Sequence, residues 1–540
     1  MLRLFRWLGW DDPRMTYGGL AKLAAGVFLV FAAAAYAWTR ARPPGDVRAR
    51  VTVLAATDGF ADAERWLAEY LEENPGDGEG WRFLVEMRGL ARLLVKVVGE
   101  DEDFAGDFEG HFTEEEFLAF LDRSTAVRPA VLRAWYVCHQ DGLEAGLAML
   151  ASVEAAPLIE EARMRREGGD VRGALDAYER VLAADPGSDE ARLAILELLV
   201  EEGNFVEARR RLDDPRYLGA ASDAVLVDVY VARGKYLAMI PPLVREDLAG
   251  MRPLTLVAAL VAGAAWFLLA LHLGWSWKWP VRARVLAPAA LVLGFVSATA
   301  CLPVVVIQDD LMGDIGPHTS IAFNLLYCLA GIGLREELVK LLFVLPLAPF
   351  LVRMKDDLAV LSIASLVGLG FAINENAGYY AASLGDAVFG RFLTASFAHM
   401  ALTGYAGYWL VRALKKGGAE WAAFGSEAAK MVTLHGVYDF LLIEPRLDDV
   451  SFLAMAVFIW LSQAYLRLAA SRSPRTRRPV PLTRLFVASL AVAAGAGYVL
   501  AADVLGMWQG LRAIAYGVVG EAVIAIMFFR EFGETVGSGR

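Results

Sequence analysis

Apolar residues are distributed along this chain in two ways. From residue 253 onward they form runs of about 20 or more residues, the length needed to span a bilayer. These runs lie at roughly 254–275, 285–307, 321–352, 357–383, 388–414, 426–443, 450–470, 482–503 and 508–529. A separate run at 18–38 brings the expectation to about ten membrane helices. The Gly331-Ile332-Gly333 step is a candidate break in the third run of the C-terminal set. Between residues 45 and 250 the apolar positions instead recur at helical spacing among charged residues, which predicts a water-soluble helical domain. The expected fold class is therefore all-α: a polytopic transmembrane helix bundle joined to a soluble helical domain. The expected boundaries are 1–44, 45–250 and 251–530.

The soluble stretch contains a repeat. Gly169-Asp170-Val171-Arg172-Gly173-Ala174 returns 34 residues later as Gly203-Asn204-Phe205-Val206-Glu207-Ala208. Residues 59–67 (GFADAERWL) followed by Asn74-Pro75 echo the helix that precedes Asp185-Pro186. A 34-residue period, a small residue inside the first helix of each pair and a nearby proline resemble the tetratricopeptide (TPR) pattern. Ala174 and Ala208 are the small residues that let paired helices approach. Residues 86–160 fit the pattern poorly. The resemblance implies a groove that binds a protein partner; a helical spacer is the competing reading.

Composition agrees with this division. The chain is 57% hydrophobic with mean hydropathy +0.42, whereas soluble domains are usually about 45–50% apolar. The net charge is −11, and most acidic residues lie between about 57 and 250. No basic patch with interleaved aromatics occurs, so nucleic acid is not an expected partner. The three cysteines, Cys138, Cys301 and Cys328, form neither a disulfide framework nor a CxxC zinc pattern. The run at 18–38 has Arg3, Arg6 and Arg14 before it and Arg40 and Arg42 after it. It reads as a retained anchor helix, with a signal peptide cut after Ala37 as the alternative. Basic and non-basic loops alternate from there on. Lys278, Arg282 and Arg284 face Asp309, Asp310 and Asp314 across one helix; Arg353 and Lys355 face a turn at about 384–387 without Lys or Arg across another. Arg412, Lys415 and Lys416 then precede an acidic turn with Glu444, Asp448 and Asp449. The linker at 467–484 carries Arg467, Arg472, Arg475, Arg477, Arg478 and Arg484. The positive-inside rule places both termini in the cytoplasm and residues 45–250 outside, in a bacterial inner or plasma membrane.

Ionisable side chains in a bilayer core cost at least about 2.5–3.5 kcal/mol each, and four successive helices of this chain carry them. GLREELVKLL contains Glu336, Glu337 and Lys340; GFAINENAGYY contains Asn374, Glu375 and Asn376; SFAHMALTGYAGYW contains His399; LHGVYDF contains His435 and Asp439. Lys340 is four residues from Glu336 and three from Glu337, within reach of both carboxylates. Adjacent carboxylates repel, so a lysine that holds one as the anion leaves the other to cycle a proton. Asp439 lies one helical turn from His435 and can orient its ring. At 1.5 Å per residue, Glu375 lies roughly 12 Å below its outer helix end, His399 about 16 Å, His435 about 14 Å and Glu336 about 22 Å. Half the hydrocarbon thickness is about 15 Å, so all four helices bring polar groups to a similar level. Hydrogen bonds that merely join helices have no reason to coincide in depth. His111, His139, His272 and His318 read as ordinary exposed or interfacial residues. Glu521 is a lone carboxylate in the last helix with no assigned role.

Together, Glu336-Glu337-x-x-Lys340, Phe371-x-x-x-Glu375-Asn376, His399 and His435-x-x-x-Asp439 resemble the motif set of PrsW-type intramembrane proteases, which are related to the CAAX prenyl proteases. The resemblance covers about residues 285–470. It implies an endopeptidase that cuts a membrane-anchored protein, such as an anti-sigma factor, near the outer side of the membrane. In that scheme Glu336 or Glu337 is the general base. Either Glu375, His399 and His435 hold a zinc ion with an open water position, or glutamate activates the water directly while a histidine or Asn376 donates to the oxyanion. No HExxH motif is present. Two other functions compete. Buried carboxylates and histidines also build proton- or ion-coupled transporters, although no second copy of EExxK or HxxxD occurs in the chain. A non-catalytic membrane scaffold that recruits partners through the repeats is the third reading. A membrane protein substrate, a protein partner for the repeats and membrane lipid are the expected partners.

Overall fold

In the computed structural model the described residues are 17–41, 46–98, 108, 110–155, 157–313, 315–316, 319–473 and 481–532. Arg3, Arg6, Arg14, Arg42, Asp314, His318, Arg475, Arg477 and Arg478 lie outside them. The described residues form helices and no strand. The chain divides into two compact units, Arg42–Pro242 and Met1–Ala41 with Leu243–Arg540.

The Arg42–Pro242 unit is built from short antiparallel helices. The 34-residue repeat is visible in how its helices start. Asp170 caps Val171–Ala184 by accepting from the Gly173 N–H at 3.0 Å, and Asn204 caps Phe205–Arg211 by accepting from the Glu207 N–H at 3.3 Å. Each cap follows a glycine with positive φ, Gly169 (76°) and Gly203 (69°), a conformation that other residues adopt only under strain. Ala174 and Ala208 are fully buried, where the helices cross. Their core contains Tyr178, Ile195, Leu198 and Val229. A second core gathers Leu67, Trp81, Leu84, Phe117, Leu132 and Trp135 from helices between 47 and 167. That stretch includes residues 86–160, where the repeat pattern fades although the helices persist.

The other unit is a bundle. We label α1 Tyr17–Ala41, α2 Pro253–Leu273, α3 Val281–Met312, α4 Ile321–Leu326, α5 Arg335–Val344, α6 Asp357–Ala382, α7 Ala387–Leu393, α8 Ala395–Lys416, α9 Glu420–Ile443, α10 Leu453–Arg472, α11 Leu482–Leu505, α12 Met507–Gly520 and α13 Ala522–Glu531. Helices occupy all ten places where the apolar runs predict them. Six of them, α1, α2, α3, α6, α10 and α11, are long and apolar enough to cross a membrane, and the pair α12–α13, bent by 56°, makes seven. The other three places, filled by α4–α5, α7–α8 and α9, fall short of that test. They are interrupted or carry charged residues, and they contain most of the candidate site. Between α4 and α5 the helix does not break at the Gly331-Ile332-Gly333 step. It widens into a π-helix over Tyr327–Leu334, a distortion that often marks functional positions.

Helix α6 is the axis of the bundle and is buried along almost its whole length. On α2 and α3, by contrast, Leu260, Leu268, Val285, Val292 and Val296 point outward, as a lipid-facing surface requires. Helix α7 is held by the buried Trp266 indole of α2, which donates to the Phe392 carbonyl at 2.6 Å. Helix α1 packs on α11: Phe28 meets Tyr498, Phe31 lies over Gly495, and Trp38 donates to Asp503 at 2.7 Å.

Candidate active site

The π-helical segment and α9 approach closely because two glycines face each other's backbones. A Cβ on Gly333 would lie 2.6 Å from the Val432 carbonyl oxygen, and one on Gly436 would lie 2.6 Å from that of Cys328. This contact sets the start of α5 beside the middle of α9. Helix α6 meets α8 in the same manner, Gly368 lying under the backbone of His399.

The polar residues of all four helices converge on Lys340, whose side chain is fully buried. Its ammonium donates to Glu336 Oε2 at 3.1 Å and Glu337 Oε1 at 2.9 Å, and meets His399 Nδ1 at 2.8 Å. It also lies 4.1 Å from the centre of the Phe371 ring, a favourable cation–π placement. Sequence reading gave the lysine the two glutamates; the structure adds the histidine and the ring.

The partners define each residue's state. An ammonium can only donate, so His399 Nδ1 accepts. The His399 proton then sits on Nε2, which faces Glu375 Oε2 at 3.0 Å. Glu337 is 1% exposed and receives three contacts: Lys340, His435 Nδ1 at 3.0 Å and the Thr403 hydroxyl at 3.4 Å. Glu336 has one lysine contact and lies 3.8 Å from His435 Nε2. That same Nε2 lies 3.3 Å from Asp439 Oδ2, so Asp439 does sit against the imidazole. The two histidine rings are perpendicular, with centroids 5.4 Å apart.

Glu375 and Asn376 stand to one side of this cluster. Arg391 on α7 donates to Glu375 Oε2 at 2.8 Å and to Asn376 Oδ1 at 2.6 Å, and its guanidinium stacks 3.6 Å over Tyr379. The Asn376 nitrogen donates to Ser396 at 3.1 Å. The amide oxygen and one of its two N–H groups are thus engaged. Asn374 turns away and donates to the Phe295 carbonyl and to Thr299, each at 3.0 Å. Arg391, Thr403 and Ser396 touch the candidate residues and were not expected from the sequence. Arg391 did leave a signal, as a guanidinium within the apolar stretch VFGRFL.

Residues 282–462 match the PrsW family intramembrane metalloprotease, and residues 166–225 match a tetratricopeptide repeat. This chain carries a PrsW family domain. Comparisons with curated proteins and with solved structures gave no match. The PrsW domain contains every residue of the cluster, from Glu336 to Asp439, and makes the chain an integral membrane protein with an intramembrane protease domain.

The family description implies a metal, so the donor set bears on the chemistry. Glu336, His399 and His435 each offer a ligand atom, all within 4.8 Å of one another, and all three side chains are buried. Two imidazoles and one carboxylate make a donor set typical of a catalytic zinc with a free fourth position, so these residues fit. The carboxylate in this trio is Glu336, whereas the resemblance implied Glu375, which instead meets His399 at 3.0 Å and Arg391 at 2.8 Å. A neutral imidazole has one ring lone pair, and Lys340 now uses that of His399. Metal binding and the Lys340–His399 contact therefore exclude each other.

Proposed function

We propose that this chain is an endopeptidase that cuts a membrane-anchored protein in the outer half of the bilayer, using Glu336 to activate a water molecule. The observation that carries the reading is the convergence of Glu336, Glu337, Lys340, His399, His435 and Asp439 in one buried cluster. Glu337, held by three donors, serves as the fixed anion that positions Lys340 and His435. Glu336 has the fewest contacts, so it is the carboxylate free to take a proton from water. His435, steadied by Glu337 and Asp439, is placed to give a proton to the leaving amine and to recover one from Glu336, which lies 3.8 Å from its Nε2. Lys340 offsets the negative charge that grows as water attacks. Where a zinc ion is bound, Glu336, His399 and His435 would hold it, and it would supply a Lewis acid that lowers the pKa of bound water. Both versions use the same residues; they differ in whether Glu336 faces the water or the ion.

The depth of Glu375, about 10 Å from the outer end of α6 at 1.5 Å per residue, supports cleavage toward the outer side. An anti-sigma factor with a single membrane anchor is the substrate class the motifs suggest. The alternating loop charges support cytoplasmic termini and an extracytoplasmic repeat domain in a bacterial inner or plasma membrane, where the repeats would recruit a protein partner. The test is co-expression with a panel of tagged single-pass membrane proteins. Glu336→Gln is expected to abolish a cleavage that the wild-type chain performs, while accumulating to the same level. Full cleavage by both Glu336→Gln and Glu337→Gln overturns the reading.

A further inference from the structure

The Arg42–Pro242 unit contains a cleft that the proteolytic chemistry does not use. Its volume is about 720 Å³, within the size range of ligand clefts. Six helices border it, from Val47–Thr57 to Asp189–Glu201. Its lining includes four arginines and six glutamates, with Trp135, Tyr178, Leu193 and Ala194 as less polar wall.

The arginines are already engaged. Arg48 pairs with Glu86 at 2.9 Å, and Arg82 pairs with Glu160 at 2.7 Å. Arg163 bridges Glu160 at 2.8 Å and Glu190, and Arg166 bridges Glu197 at 2.6 Å and Glu201 at 2.5 Å. Glu160 lies beneath the cleft surface, 5% exposed, and also accepts from the Trp135 indole at 2.9 Å. This lattice gives every guanidinium of the cleft an internal carboxylate partner, so an added anion would compete with a charge already in place.

The carboxylates are in excess. Glu79 and Glu167 line the cleft, and among the described residues neither side chain has a hydrogen bond or an ion pair, although Arg48 and Arg82 stand close enough to Glu167 to act on its charge. Glu167 ends the helix Leu158–Glu167, where the helix dipole already presents negative charge and disfavours an anion. Desolvation in the cleft and the neighbouring Glu86 push the Glu167 carboxyl above its ordinary value. Such a site gains from a cation and is repelled by another anion.

We propose that this cleft docks a lysine- or arginine-bearing segment of a partner protein. The basic side chains meet Glu79 and Glu167, while their aliphatic stems lie against the less polar wall. A segment laid across the helices can reach both free carboxylates, which stand on different helices. The inference rests on the reading of the repeats as a partner-binding domain and is independent of the protease chemistry.

The experiment uses the full chain in a nonionic detergent and three labelled peptides on one Gly-Ser frame, carrying lysines, glutamates or neither. Fluorescence anisotropy should show binding of the lysine peptide alone, weakening as salt is raised. The double variant Glu79→Gln, Glu167→Gln should bind it about tenfold more weakly, two surface-type charge pairs being lost. Both residues are exposed, so its thermal unfolding midpoint should stay at the wild-type value. The charge-reversed variant Glu79→Lys, Glu167→Lys should lose the lysine peptide altogether. Glutamate peptide bound as tightly as lysine peptide, binding of none of the three, or unchanged affinity in the double glutamine variant would each overturn the proposal.

Discussion

Gly368→Ala adds one methyl group to α6 at a residue with no chemistry of its own. The new Cβ would stand 2.1 Å from the carbonyl oxygen of His399 and 2.9 Å from the Thr403 side chain. Cβ atoms essentially never approach another heavy atom closer than 3.0 Å, so α8 must retreat by about 1 Å at His399 itself. His399 sits 2.8 Å from Lys340 and 3.0 Å from Glu375. A retreat of that size takes the contact with Glu375, which joins α8 to α6, beyond hydrogen-bond range and displaces His399 relative to Lys340. Overpacking of this kind costs about 1–3 kcal/mol of stability, and a misplacement of about 1 Å can cost on the order of 100-fold in rate. The expected result is cleavage of a tagged substrate slowed about 100-fold, with the variant still accumulating in the membrane. The control lies in the same helix. A Cβ on Gly378 meets nothing within 4 Å, so Gly378→Ala should cleave normally and gain up to about 1 kcal/mol in helix propensity. A Gly368→Ala variant that cleaves within twofold of wild type would refute the placement of His399 against α6, and with it the site geometry described above.

Three further expectations follow from individual contacts. Lys340→Met leaves Glu336 and Glu337 buried side by side without their cation; the loss should be about 3–5 kcal/mol, seen as poor accumulation or a lowered midpoint of thermal unfolding in detergent, and a wild-type midpoint would contradict it. Elemental analysis of purified protein should find about one zinc per chain, lost in His399→Ala and His435→Ala but kept in Glu375→Gln; equal loss in the last variant would return Glu375 to the ligand set. Because α1 packs through Phe28, Phe31 and Trp38 on α11, the intact mass of the membrane-extracted protein should include residues 18–38, whereas an N-terminus at Trp38 would show processing after Ala37.

Much of the site is legible in the sequence because a bilayer makes polar residues conspicuous. Glu336, Glu337, Lys340, Glu375, His399 and His435 stand out because each interrupts an apolar run, at a cost the chain would not bear without a use. The spacing of Lys340 to both glutamates and of His435 to Asp439 follows from the helical turn alone, and the structure contains both contacts. The 34-residue repeat is equally local, since its caps Asp170 and Asn204 lie next to the helices they start.

What tertiary structure alone decided is which carboxylate meets which imidazole. Glu336, His399 and His435 form the compact trio, while Glu375 meets His399 alone of the two imidazoles, at 3.0 Å, and is shared with Arg391, for two reasons that spacing cannot carry. The π-helical turns at Tyr327–Leu334 change the phase of the helix just before Glu336, so the face it presents is not the one counted at 3.6 residues per turn. Arg391 comes from a separate short helix to hold Glu375. Composition and period thus determined that polar groups enter the membrane and roughly how deep they lie. Their pairing depended on where α5, α6, α8 and α9 touch, and those contacts are set by Gly333, Gly368 and Gly436, whose missing side chains leave no mark in a pattern of polar and apolar positions.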